Sequence, residues 1–278
     1  MDARSLDEKF TLTATLSAEI NPASPVIMGG NYKENIGRAS RLGYRAVELH
    51  WANPLEIPLD EISSICDAYD MKISAFATGR AYVQEGLSLI DDDDSVRCAA
   101  LQRLLAHVDA ASRFHAAVII GCIRGNIPAG SANATYMERF AAAAHTIAGY
   151  AAKRNVSIFL EAINRYENNY LNTAKETADF IRKYELPNTK ILLDTFHMNI
   201  EEADPPGAVI ECGDLLGYVH VADSTRRYAG AGHIDFQSIA SALESIHYQG
   251  HLSAECLPLP DSQTALENWI KGIRTYFI

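Results

Sequence analysis

Eight short apolar runs, separated by stretches of helical periodicity, recur from one end of this 278-residue chain to the other. They cover residues 10–16, 46–50, 72–78, 117–121, 157–161, 190–194, 218–222 and 251–255. The runs are rich in Val, Ile and Leu without strict alternation, as expected of parallel strands covered on both faces. Between them apolar residues return every three or four positions, most clearly from Ser95 to Phe114 through Val96, Ala100, Leu104, Val108 and Ala111. Further helices are read at 33–42, 58–70, 135–153, 174–185, 206–216, 235–247 and 262–275. No GxGxxG follows the first strand, which argues against a doubly wound nucleotide-binding sheet. No Pro/Gly/Ser-rich linker interrupts the alternation, and the length suits a closed barrel, which needs ~250 residues. We therefore expect a single (β/α)8 TIM barrel forming one domain over residues 1–278.

Four of the later strand ends carry chemistry. Glu161 closes VSIFLE, Asp194 closes ILLD, His220 closes YVH and Glu255 closes LSAE, at separations of 33, 26 and 35 residues. A strand–helix unit runs to ~30 residues or more, so these are read as neighbouring strands. Active sites of such barrels form where strands end and loops begin, which brings the four side chains to one place. Taken singly, each could be a salt-bridge partner. As a set, three carboxylates and an imidazole suit a divalent cation with oxygen and nitrogen ligands, and the cation removes the cost of burying carboxylates unpaired. The acidic run Asp91–Asp94 lacks the glycine and distal glutamate of a calcium loop; it reads as a solvated helix start whose charge complements the helix dipole.

Composition excludes several classes. With 24 Lys and Arg against 35 Asp and Glu, the net charge of −11 disfavours nucleic-acid binding, which depends on basic clusters. No apolar stretch approaches the ~20 residues of a membrane span, and MDARSLDEKF lacks the apolar core of a signal peptide, so a cytoplasmic protein is expected. Five scattered cysteines without a CxxC pair point to reduced thiols, and Cys256 reads as a small buried strand residue.

The segments LEAINRYENNYLNT (160–173), LLDTFHMNIEE (192–202), HVADSTRRYAGAGHIDF (220–236) and SAECLPLPD (253–261) resemble the xylose-isomerase-like barrel enzymes. Within them they are most similar to the ketose 3-epimerases, especially the branch acting on keto-sugar acids such as 5-keto-L-gluconate. TGRAYVQEGLSL (78–89) and VIIGCIRG (118–125) extend the resemblance into the first half. It implies that Glu161, Asp194, His220 and Glu255 are the metal ligands, and that Glu167, His197 and Arg226 hold substrate oxygens. Capping or packing for His197, a surface salt bridge for Arg226 and pairing with Arg165 for Glu167 are the alternative roles.

Four such ligands suit Mn²⁺ first, with Co²⁺, Mg²⁺ or Zn²⁺ as alternatives. The cation would bind the C2 carbonyl and C3 hydroxyl of a ketose or keto-sugar acid. Glu161 and Glu255 would exchange the C3 proton between faces through a cis-enediolate. An aldose–ketose isomerase and an inosose-dehydratase-type lyase are the alternative activities, and a non-catalytic sugar-binding barrel would have no use for both bases. Arg124, following the fourth strand, is expected at the barrel mouth as a bidentate partner for a substrate carboxylate, with a loop salt bridge as the alternative. The expected partner is a small sugar or sugar acid. A homo-oligomer is compatible with the sequence, although nothing in it identifies an interface.

Overall fold

A computed structural model describes residues 9–277. Its strands are β1 (Thr11–Ser17), β2 (Met28–Gly29), β3 (Ala46–His50), β4 (Lys72–Ala77), β5 (Ala117–Ile120), β6 (Ile158–Glu161), β7 (Thr189–Asp194), β8 (Leu216–His220) and β9 (His251–Ala254). Every paired strand is parallel, in the order β1-β3-β4-β5-β6-β7-β8-β9, and pairing of Thr11 with His251 and Ala14 with Ala254 closes the ring. The two-residue β2 extends the sheet beside the end of β1, pairing Leu16 with Met28. The eight-stranded barrel is the expected architecture, and β2 was too short to leave a periodic signal.

The helices are α1 (Tyr32–Leu42), α2 (Leu59–Ala68), α3 (Gly79–Glu85), α4 (Asp94–Ser112), α5 (Asn133–Ala152), α6 (Ala174–Lys183), α7 (Thr195–Glu201), α8 (Pro205–Cys212), α9 (Phe236–Ser245) and α10 (Ser262–Tyr276). Their starts follow capping chemistry. Asp93 accepts from Ser95 N at 2.7 Å to open α4, so the acidic run is a helix start as expected. Thr173 and Glu176 form a reciprocal capping box at α6. The span read as one helix at 206–216 divides into α8 and a 3-10 turn at Gly213–Leu215, where Gly213 takes φ 49°. Two short helices, α3 and α7, were not expected. They follow β4 and β7 directly and so stand at the C-terminal mouth of the barrel.

Both faces of the strands are covered, which explains the missing alternation. Ala75, Ala77, Ala117, Ile119, Phe159, Leu192 and Tyr218 pack together inside the ring. Their neighbours Phe76, Val118 and Leu160 face outward into a second layer shared with the helices. Trp269 of α10 stacks on Tyr44 at 5.4 Å and donates Nε1–H to Val221 O at 2.8 Å, so its polar edge is satisfied within that layer. All five cysteines are free, and no described helix is long and apolar enough to cross a membrane.

Candidate metal centre

Glu161, Asp194 and His220 are the last residues of β6, β7 and β8, and Glu255 follows β9 directly. Adjacent strands thus deliver four side chains to one end of the barrel, with one ligand atom from each lying within 4.8 Å of all the others. Asp194 divides its oxygens. Oδ1 caps α7 by accepting from Phe196 N at 2.8 Å, and Oδ2 faces the cluster. Gly121 at the end of β5 makes room for Glu161, because a Cβ there would stand 2.5 Å from Glu161 Oε2.

The orientation of His220 shows which of its nitrogens faces the other three side chains. Its Nε2 lies 3.1 and 3.2 Å from the two oxygens of Glu48. Glu48 also accepts from His50 Nε2 at 2.8 Å and Ser253 Oγ at 2.7 Å. Burial raises the Glu48 pKa, but His220 and His50 outweigh it and hold this carboxyl well below its ordinary value. A carboxylate on Nε2–H leaves Nδ1 as the ligating nitrogen, the arrangement common to metal-bound histidines. Nδ1 lies 3.1 Å from Glu255, 3.7 Å from Glu161 and 3.8 Å from Asp194, buried and without an aligned hydrogen bond. Burial lowers the His220 pKa, yet Glu48 and Glu255 hold it well above the usual imidazole value. Burial also raises Glu161, and pushes Asp194 up to about 7 against the pull of Arg226. The cluster gathers three carboxylates and an imidazole nitrogen at one buried point, a donor set that could hold a divalent cation.

Around this point is a cavity of about 320 Å³, reached by Glu161, Glu167, His197, His220, Arg226 and Glu255. Arg226 bonds both Asp194 and Glu255 and lies over the Phe196 ring at 4.8 Å. It is therefore not a surface arginine. Glu167 does not pair with Arg165, which is held by Glu201 at 2.7 Å.

Asn164, which the sequence reading passed over, joins two of these groups. Tyr166 N donates to its Oδ1 at 2.9 Å, which fixes the amide orientation. Nδ2 then donates to Glu167 Oε1 at 2.9 Å and to His197 Nδ1 at 2.7 Å. With Nδ1 accepting, His197 carries its proton on Nε2, 3.7 Å from Glu161. Burial, reinforced by Arg226, holds His197 well below its ordinary pKa, so it is a neutral donor facing the cavity.

Arg124 requires a correction. It follows β5 as expected, but its side chain is fully buried and turns away from the cavity. Its guanidinium donates to Glu161 O at 2.6 Å, Asn168 Oδ1 at 3.0 Å, Tyr170 O at 3.2 Å and Leu171 O at 3.3 Å. Backbone carbonyls of the loop after β6 take the donors assigned to a substrate carboxylate. Arg124→Ala should destabilise the protein by about 3–5 kcal/mol, since several buried acceptors lose their donor together. Denaturant titration measures this. An acid substrate and a neutral one should suffer equally in the surviving activity.

A closed (β/α)8 ring with a buried carboxylate–histidine cluster at its mouth defines a TIM-barrel enzyme. A family model described as a xylose isomerase-like TIM barrel matches residues 36–274, and the chain belongs to that family. An L-ribulose 3-epimerase from Methylomonas sp. is 33% identical over 230 residues, 80% of this chain and 77% of its relative. A ketose 3-epimerase from Arthrobacter globiformis is 28% identical over 247 residues, 84% and 82% of the two chains. The crystal structure of a Methylomonas sp. D-allulose 3-epimerase in complex with D-allulose matches with a TM-score of 0.81 at 25% identity, covering 97% of this chain and 98% of that one.

Proposed function

We propose that the protein is a metal-dependent sugar epimerase that inverts C3 of a ketose or keto-sugar acid. The observation carrying this reading is that Glu161 and Glu255, from strands on either side of the other two ligands, both line the same cavity. Inversion needs one group to take the C3 proton and a second to return it on the opposite face, and two carboxylates meet that need. Glu161, Asp194, His220 and Glu255 would hold the cation, Mn²⁺ by first choice, and when bound it supplies Lewis-acid polarisation of the ketose carbonyl. Proton loss from C3 gives a cis-enediolate, and its collapse after protonation from the other side gives the epimer. His197 donates Nε2–H to a substrate oxygen, while Arg226 and Glu167 fix the neighbouring hydroxyls and keep C3 between the two bases.

Incubation with L-ribulose or D-psicose and Mn²⁺ in deuterated water tests this reading. Deuterium should enter at C3 as both epimers appear. An aldose product carrying deuterium at C2, with exchange at C1 of the ketose and none at C3, would identify an isomerase, and a dehydrated product a lyase.

Asn164 should act through its two neighbours. Asn164→Asp offers an oxygen to both and should drive the His197 proton to Nδ1. The expected loss in kcat/KM is about 1.5–3 kcal/mol, roughly ten- to hundredfold. Nitrogen NMR of the imidazole reports the tautomer, and an unchanged Nε2–H form would remove Asn164 from this role.

A further inference from the structure

Arg80 is the second residue of α3 and lines the cavity together with Thr78, Gly79, Val83 and Gln84. It is half-buried, and among the described residues no hydrogen bond, ion pair or ring contact engages its guanidinium. The charge of Glu19 reaches it without an ion pair forming. The other arginine of this cavity, Arg226, is bonded to two carboxylates. A partly desolvated guanidinium without a partner, facing a substrate-sized cavity, has the chemistry of an anion receptor, and its planar fork suits carboxylate and phosphate oxygens.

Topology adds position. In the closed ring β4 and β8 are separated by three strands on either side, so α3 leaves the strand diametrically across from that of His220. Arg80, Glu161 and Glu255 line the same cavity, so a ketose with C2 and C3 beside the two carboxylates would have room to extend its far end toward Arg80. We propose that Arg80 binds an anionic group at the end of the substrate remote from C3, making the preferred substrate a ketose oxidised to a carboxylate, or phosphorylated, at that end. This inference rests on the epimerase reading for which carbons react. It reassigns the acid-recognition role expected of Arg124 to a different side chain.

The test compares a neutral ketohexose, its C6 carboxylate and its C6 phosphate on the Mn²⁺-loaded parent, Arg80→Ala and Arg80→Lys. In the parent, kcat/KM for one anionic compound should exceed that for the neutral sugar at least tenfold, and which one does so identifies the anion. Arg80→Ala should lower that ratio at least tenfold, with Arg80→Lys between, because an ammonium keeps the charge and loses the fork. A ratio that changes less than twofold in Arg80→Ala overturns the proposal. Calorimetric affinities for the same compounds give a readout independent of turnover. If no compound exchanges its C3 proton but Arg80→Ala still loses tenfold in anion affinity, the epimerase reading falls and Arg80 recognition stands. Equal affinities in parent and variant reject Arg80 recognition whatever the activity.

Discussion

Replacing Glu161 or Glu255 by glutamine is expected to reduce epimerisation by roughly a thousandfold, within the range general acid–base catalysis contributes. Glutamine preserves size and can hydrogen-bond, but it cannot accept the C3 proton. The two variants should differ from each other in one respect. Each retains one base, so each should exchange the C3 proton of one epimer with solvent and fail to deliver the other epimer. Both residues also belong to the ligand cluster. Metal content therefore has to be measured on each variant beside deuterium exchange. A metal-replete Glu255→Gln protein that epimerises within tenfold of the parent would exclude Glu255 as a base.

Metal removal should be equally severe. Chelation is expected to abolish turnover, and Mn²⁺ or Co²⁺ to restore it. The cation should also stabilise the fold, by about 2.7 kcal/mol when present at a hundred times its Kd, read as a rise in Tm of several degrees. Asp194→Asn and His220→Ala should lose most of that rise. Binding should release protons near neutral pH. The carboxylates hold His220 well above its usual pKa and burial brings Asp194 to about 7, whereas ligation needs both deprotonated. Affinity should consequently increase as pH rises through neutrality. Calorimetry in buffers of different ionisation enthalpy counts the protons, and a pH-independent affinity would contradict this arrangement.

All eight ring strands were legible because burial on both faces writes an apolar run into each of them. The four cluster residues were legible because strand ends converge in a barrel of this kind, making position along the chain a proxy for position in space. That proxy failed for Arg124, where sequence places the backbone but does not determine whether a long side chain turns into the mouth or under the next loop. Glu48 was missed although it stands inside AVELH, where a charge within an apolar strand is itself a signal; its pairing with His220, 172 residues away, is visible only after closure. Asn164 carried no signal beyond its place in NRYE, since its role lies in three hydrogen bonds. Helices α3 and α7 span seven residues each and follow strands without a separating turn, too short for periodicity to mark them.

Glu48 also bears on how such a barrel can be recombined. The ligand cluster comes entirely from β6 to β9, which invites the view that the first half is an exchangeable module for selecting substrates. The carboxylate on β3 contradicts a clean cut, because it takes hydrogen bonds from His220 on β8 and Ser253 on β9. A donor first half with new loops but no acid at this strand position would leave His220 Nε2 without its acceptor and free the ring to rotate or change tautomer. Chimeras of this scaffold should therefore inherit β3 with the second half, leaving the segments after β1 and β4 as the interchangeable parts.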